Sequence, residues 1–242
     1  MKLEGKCALV TGAAGGIGQA IVRRLQGEGI CVVGTDQAES AADVHISGDL
    51  VDPAFCDDLP ALAEDASGKS LDILINNAGI ITRGDILQAS DKDFARTMAI
   101  NVEAPFRLCR AAIGLMAKTG GGAIVNMSSC WGVHPGPNHP LYVMSKAAIA
   151  SLTQCLAMDH AHQNIRVNAV CPNEVNTPML RSGLEARGLD PSRGVEELNA
   201  TVPLGRIADP EDIADVVAFL VSDQARYMCG ALLEVNGGKP VR

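Results

Sequence analysis

The chain has 242 residues, 47% of them hydrophobic and 20% charged, with 25 glycines and 12 prolines. That composition is globular and excludes a disordered, collagen-like or coiled-coil chain. Twenty Lys and Arg against 28 Asp and Glu leave a net charge of −8 without a basic tract, which argues against nucleic acid or an anionic membrane surface as a partner. Residues 1–6 hold no apolar signal core, and no apolar run approaches about 18 residues; the expectation is a soluble, cytoplasmic protein. Eight cysteines at irregular spacing, mostly in apolar runs such as Cys7-Ala8-Leu9-Val10, read as small buried side chains in a reducing compartment. His160-x-His162 has no cysteine or carboxylate at a ligand spacing, so no metal is expected.

In chain order, the strand candidates are Lys6–Thr11, Gly29–Thr35, Val44–Gly48, Leu71–Asn76, Gly122–Ser128, Ile165–Cys171 and Ala231–Val235. They are apolar runs with little alternation, as in strands covered on both faces of a parallel sheet. Amphipathic segments separate them. Ser90-x-x-Asp93 reads as a capping box opening a helix that Gly120-Gly121-Gly122 stops. Asp209-Pro210-Glu211-Asp212 opens another, with a capping side chain, an early proline and acids at the positive helix end. No linker or repeat interrupts the alternation. A single α/β domain over residues 1–242 is expected, a Rossmann-type doubly wound parallel sheet of about seven strands.

The first strand runs into Thr11-Gly12-Ala13-Ala14-Gly15-Gly16-Ile17-Gly18, then a helix with apolar Ile17, Ala20, Ile21 and Leu25. Such a turn permits close backbone approach, and the helix N-terminus offers N–H groups to a pyrophosphate. Asp36 closes the second strand where a carboxylate accepts from an adenosine ribose. The reading is a dinucleotide site, and a carboxylate at Asp36 favours NAD over NADP.

The spacing Gly-x-x-x-Gly-x-Gly resembles the short-chain dehydrogenase/reductase family. So do Asn76-Asn77-Ala78-Gly79, Tyr142-x-x-x-Lys146 with Ser129 thirteen residues upstream, Pro203-Leu204-Gly205-Arg206 and Val235-Asn236-Gly237-Gly238. The resemblance spans nearly the whole chain. It implies Asn101, Ser129, Tyr142 and Lys146 as the catalytic set. Tyr142 and Lys146 stand four apart on a helix from Leu141 to about His162 and share a face. A free phenol has a pKa of about 10, and a neighbouring ammonium with an oxidised nicotinamide is expected to lower it towards neutrality. Ser128 is expected to be structural. Asn101 is unfavourable inside a helix, which points to a specific partner.

By position, the resemblance also implies cofactor contacts from Gly12, Ala14, Gly15, Gly16, Ile17, Gly18, Asp36, Asp49, Leu50, Asn77, Ala78, Gly79, Tyr142, Lys146, Val175 and Thr177. Asn173 stands where the family carries a glycine. Its tolerance of left-handed backbone would keep the turn, and with Glu174 it adds polar groups near the substrate. A lid is expected at about residues 178–202, and His134 or His139 at the pocket edge.

The leading function is NAD-dependent interconversion of a secondary alcohol (sugar, polyol or hydroxy acid-like) and its ketone. An NADPH-dependent 3-oxoacyl-[acyl-carrier-protein] reductase is the rival within the enzyme class, and a cofactor-gated regulatory protein the rival outside it. Apolar residues around most of the Tyr142 helix, and an excess at Leu108, Cys109, Ala111, Ala112, Ile113, Leu115 and Met116, lead to a homotetramer.

Overall fold

The computed structural model describes residues 3–239. The apolar runs form strands β1 Cys7–Thr11, β2 Cys31–Asp36, β3 Val44–Ser47, β4 Ile73–Asn76, β5 Gly122–Met127, β6 Ile165–Pro172 and β7 Leu232–Val235. Among the described residues they make one sheet, ordered β3-β2-β1-β4-β5-β6-β7, with every pair parallel. This is the doubly wound class that the alternation predicts. Parallel pairing requires helical crossovers, which cover both faces.

Successive strand residues feed opposite cores. Ala8 and Val10 pack with α1 (Gly16–Gln26) and α9 (Pro210–Val221) through Ile21, Leu25, Ile213 and Val217. Cys7 and Leu9 face α2 (Pro53–Ser67) and α4 (Ala104–Thr119), meeting Leu59, Leu108 and Met116. The chain moves outward from β1 to β3, then returns beside β1 as β4 and moves outward the other way. The reversal opens a crevice at the carboxyl ends of β1 and β4, the place where such sheets hold ligands.

The single helix expected between Ser90 and Gly120 is in fact divided. The Ser90–Asp93 capping box opens α3, Asp91–Met98. A π-helical turn over Ala99–Glu103 follows, closed by the bond from Ala104 N–H to Ala99 O, and leads into α4. Such a wide turn admits one extra residue and often marks a functional position. Asn101 lies in it, buried.

Between β5 and β6 come the short α5, Cys130–Val133, and the long α6, Pro140–His160. A buried polar chain fixes α6 to the sheet. Asn76 Nδ2 donates to Asn126 Oδ1 at 2.8 Å, Asn126 Nδ2 to Thr153 Oγ1 at 2.9 Å, and Thr153 Oγ1 to Ile149 O at 2.8 Å. By length and apolarity (mean hydropathy 1.3) the stretch Pro140–Gln163 would be long enough to cross a membrane. Here its inner side is buried against the sheet, while Met144 and Met158 stay exposed. In α4 most of the apolar residues singled out above (Leu108, Cys109, Ala112, Ile113 and Met116) pack into the chain's own core, and Phe106 is the exposed one.

The thiols correct one expectation. Cys7, Cys56, Cys109, Cys130 and Cys171 are buried, but Cys155 and Cys229 are exposed, and all eight are free. After β6, the described helices are α7 (Pro178–Glu185), α8 (Pro191–Asn199) and α9.

Candidate active site

The crevice is a cleft of ≈ 620 Å³ whose floor is the glycine turn. Gly12 has φ +65°, and a Cβ on Gly18 would collide with Gly12 O. Both positions therefore require glycine. Gly15 caps α1 without any side-chain bond, so the first-turn amides stay open towards an anion. Gly12, Ala14, Gly15, Gly16, Ile17, Gly18, Asp36, Asp49, Leu50, Asn77, Ala78, Gly79 and Thr177 all line the cleft. The close-approach glycines and these open donors fit a dinucleotide.

Two of these residues hold the cleft's own shape. Thr11 Oγ1 accepts from Asn77 N–H at 3.1 Å and Ala78 N–H at 3.0 Å, while Asn77 Nδ2 donates to Thr11 O and Gly12 O. The Asn77 side chain is thus committed to clamping the β1 and β4 turns together. Asp36 does not point away into solvent. Its carboxylate accepts from Ala14 N–H at 3.1 Å and from Ala38 N–H at 3.3 Å.

Sequence reasoning missed Gln19, Thr35, Gln37, Gly48, Ile80, Arg96 and Ile100 as lining residues. Arg96 and Ile100 stand four apart in one helical run, a signal open to that reading. Among the described residues Arg96 is the one cation in the lining.

Asn101, Ser129, Tyr142, Lys146 and Val175 are not among the residues lining the cleft; Asn101 and Lys146 stand directly behind Gly79 in its wall. A Cβ on Gly79 would lie 3.2 Å from Lys146 Nζ, so the lysine reaches the cleft wall. Lys146 is buried, and its Nζ donates to Met127 O at 2.7 Å and sits 5.8 Å from the Tyr142 ring centroid. Asn101 finds the partners that its odd position implied. Its Oδ1 accepts from Ile80 N–H at 2.8 Å, and its Nδ2 donates to Ile80 O at 2.8 Å and Ser145 Oγ at 3.0 Å. Ser129 caps α5, accepting from Trp131 N–H. Ser128 Oγ donates to Lys146 O at 2.8 Å, a structural bond as expected. Val175 is buried and bridges to Ala208.

The phenol meets opposing influences. Burial raises the Tyr142 pKa above its ordinary value, with the Ser129 hydroxyl beside it pulling the other way. Burial pushes the Lys146 pKa down to about 8, which leaves it largely charged at neutral pH, and its ammonium donates to the Met127 carbonyl.

Asn173 is also corrected. Among the described residues only Asn138 and Asn164 are non-glycines with positive φ, so this turn needs no left-handed residue. Asn173 Nδ2 and Glu174 Oε2 are buried without partners, while Glu174 Oε1 pairs with Lys239 at 2.6 Å. The histidines are engaged by protein: His134 with Glu234 at 3.0 Å, and His139 with Pro137 O and the Trp131 ring.

A family model described as Enoyl-(Acyl carrier protein) reductase matches residues 12–239. An uncharacterized oxidoreductase of Thermotoga maritima is 35% identical over 248 residues, covering 98% of each chain. The ligand-free aldohexose dehydrogenase of Thermoplasma acidophilum has a TM-score of 0.93 at 33% identity, covering 99% of this chain and 96% of that one. The 3-ketoacyl-(acyl-carrier-protein) reductase of Brucella melitensis, complexed with NADH, has a TM-score of 0.88 at 30% identity, covering 98% and 99%. Fold and relatives together define an oxidoreductase acting on CH–OH groups of a small molecule. The chain belongs to the short-chain dehydrogenase/reductase family, and membership implies a nicotinamide cofactor.

The buried lysine has a measurable cost. With its pKa at about 8 in the fold against 10.5 ordinarily, the native state binds fewer protons between those values, and the full penalty applies below about pH 8. Replacing Lys146 by Met removes the charge and also the bond to Met127 O. At pH 7 the variant should be more stable in urea by about 1–3 kcal/mol. That advantage should shrink as pH rises from 8 towards 10. Cys109 and Cys130, pushed up to about 12 by burial, destabilise both proteins alike above pH 9, but Cys171 is coupled to Lys146, so the lysine is read from the difference between pH 7 and 9. A variant less stable than wild type at pH 7 would contradict this account.

Proposed function

We propose that the protein is an NAD-dependent dehydrogenase interconverting a secondary alcohol of sugar, polyol or hydroxy acid type and its ketone. The observation carrying this is that Ser129, Tyr142 and Lys146 converge beside a cleft whose glycine turn is bonded to Asp36. The glycine turn, Asp49-Leu50, Asn77-Ala78-Gly79, Val175 and Thr177 would hold the dinucleotide, with Asp36 on the adenosine ribose. When bound, the nicotinamide supplies the acceptor for the carbinol hydrogen.

Tyr142 takes the hydroxyl proton, and Ser129 donates to the oxygen as charge gathers on it. Lys146 supplies a buried positive charge beside the phenol and a donor towards the nicotinamide ribose. Asn101 acts at one remove, tying the turn at Ile80 to the Tyr142 helix through Ser145. Residues 178–202, which include α7 and α8, are the lid over the substrate. Similarity to the aldohexose dehydrogenase supports a hydroxyl-rich substrate. The NADPH-dependent 3-oxoacyl reductase is disfavoured by a carboxylate at the glycine turn. Eight free thiols suit a cytoplasmic enzyme.

The tetramer reading draws support from the outer faces of α4 and α6. Met98, Val102, Phe106, Ala148 and Leu152 surround an apolar groove of ≈ 490 Å³, and a second copy would cover it across a two-fold axis.

Tyr142→Phe should cut turnover at least about a hundredfold in an assay following NADH formation from a panel of secondary alcohols, with little change in NADH affinity. Comparable turnover would remove Tyr142 from the mechanism. For the cofactor, kcat/KM should favour NAD over NADP by roughly thirtyfold, since a second anion beside Asp36 costs about 2 kcal/mol, and Asp36→Ala should collapse the ratio. An unchanged ratio would sink the ribose assignment. Light scattering at micromolar concentration should give the mass of four chains; a monomeric mass defeats the assembly.

A further inference from the structure

Two arginines from different parts of the chain meet over the Tyr142 end of the site. Arg83 lies in the turn after β4, and Arg187 follows α7. Arg83 Nη2 donates to Met179 O at 3.3 Å, and its guanidinium fills the space where any Cβ at residue 183 would stand. Arg187 Nε donates to Gly183 O at 3.1 Å. Both cations therefore converge on Gly183, a residue that leaves room for them by having no side chain.

The turn carrying Arg83 is anchored beside the candidate base. Gly84 N–H donates to Asn138 O at 2.9 Å, two residues before α6 begins, and Tyr142 occupies the first turn of α6. Arg83 and the Tyr142 phenol are close enough to act on each other electrostatically.

Arg83 and Arg187 are both exposed, and among the described residues neither forms an ion pair, so backbone carbonyls alone hold them. The polar groups beside them are engaged elsewhere. Arg181 donates to Asn176 Oδ1, Arg193 pairs with Glu197, and the Asp85 carboxylate accepts from Leu87 and Gln88 N–H. Partial desolvation and the like charge of Arg187 both disfavour the Arg83 cation. Two adjacent guanidiniums repel, and each keeps further donors in a planar fork that matches an oxyanion. A group bearing negative charge between them would relieve the repulsion and use those donors.

We propose that Arg83 and Arg187 bind an oxyanion carried by the substrate, a carboxylate or a phosphate ester, so that the alcohol oxidised at Tyr142 belongs to an acid or a phosphorylated polyol. The proposal rests on the dehydrogenase reading above and narrows its substrate class. Gly183 then has a role in specificity, since any side chain there would displace Arg83.

The test is calorimetric titration of the enzyme–NADH complex with matched pairs: D-gluconate and D-glucitol, 3-hydroxybutyrate and 2-butanol, D-glucose 6-phosphate and D-glucose. At least one anion should bind ten times more tightly than its neutral partner, and the pair that does so distinguishes carboxylate from phosphate. Arg83→Gln and Arg187→Gln should each reduce that advantage about tenfold and change the neutral member less than threefold. Arg187→Lys should restore part of it. Melting curves matching wild type guard against misfolding. Equal affinity within every pair, or an advantage that survives both glutamine variants, overturns the proposal. NAD reduction by the same compounds is read separately. Its absence throughout would count against the dehydrogenase reading, while the titrations still decide the anion site.

Discussion

Asn126, near the carboxyl end of β5, donates from its amide to Thr153 on α6 and accepts from Asn76 at the end of β4. Each of these polar groups is buried, so leaving one unpaired would cost about 1–3 kcal/mol. The bonds are directional, and they admit α6 in only one rotation and one axial position. Hydrophobic contacts alone would permit a helix of such uniform apolarity to slide or turn. Tyr142 and Lys146 inherit their placement from this chain of amides, and Ser128, bonding Lys146 O, repeats the constraint about two turns nearer the site.

The cleft depends on a second directional set at the point where the sheet reverses. Thr11 and Asn77 exchange bonds across the ends of β1 and β4, which holds the glycine turn and the Asn77-Ala78-Gly79 turn at a fixed separation. Asp36 adds a third anchor by accepting from Ala14 N–H. That bond gives Asp36 a fixed location before any ligand arrives, so a ribose hydroxyl would meet a carboxylate already oriented. Loops in this molecule are therefore ordered by a few polar bonds, where helices and strands are ordered by packing.

Much of this was legible in the sequence, for reasons that differ between elements. Strand runs such as Cys7–Thr11 are apolar on both faces because the sheet is covered twice, and that pattern survives any tertiary detail. Ser90-x-x-Asp93 and the glycine turn are local devices whose geometry follows from residue type. The π turn at Ala99–Glu103 was only half legible: Asn101 stood out as a poor helical residue, but nothing in Ala-Ile-Asn-Val-Glu shows that the turn widens around it. Only the bonds from Asn101 to Ile80, 21 residues away, account for it. The burial that raises the Tyr142 pKa was not legible for a related reason. Spacing along a helix gives the proximity of Lys146, but burial and the carbonyl of Met127 are properties of the folded surroundings. Likewise Arg83 and Arg187 are about a hundred residues apart in sequence, and no periodicity joins them.

The π turn also makes this stretch of chain intolerant of changes in length. A regular α-helix would run through the same span with one residue fewer, and deleting one residue between Ser90 and Gly120 would let the helix relax to that state. The flanking helices would keep their relative phase, and only the residues of the turn itself, Asn101 among them, would be re-aimed, by up to about 100°. Asn101 would swing away from Ile80 and Ser145, while the buried face of α4 stayed seated. The fold could survive such a deletion with its core intact, yet lose the link between the cleft wall and the Tyr142 helix. Substitutions in this segment are a question of chemistry, but its residue count is a question of phase.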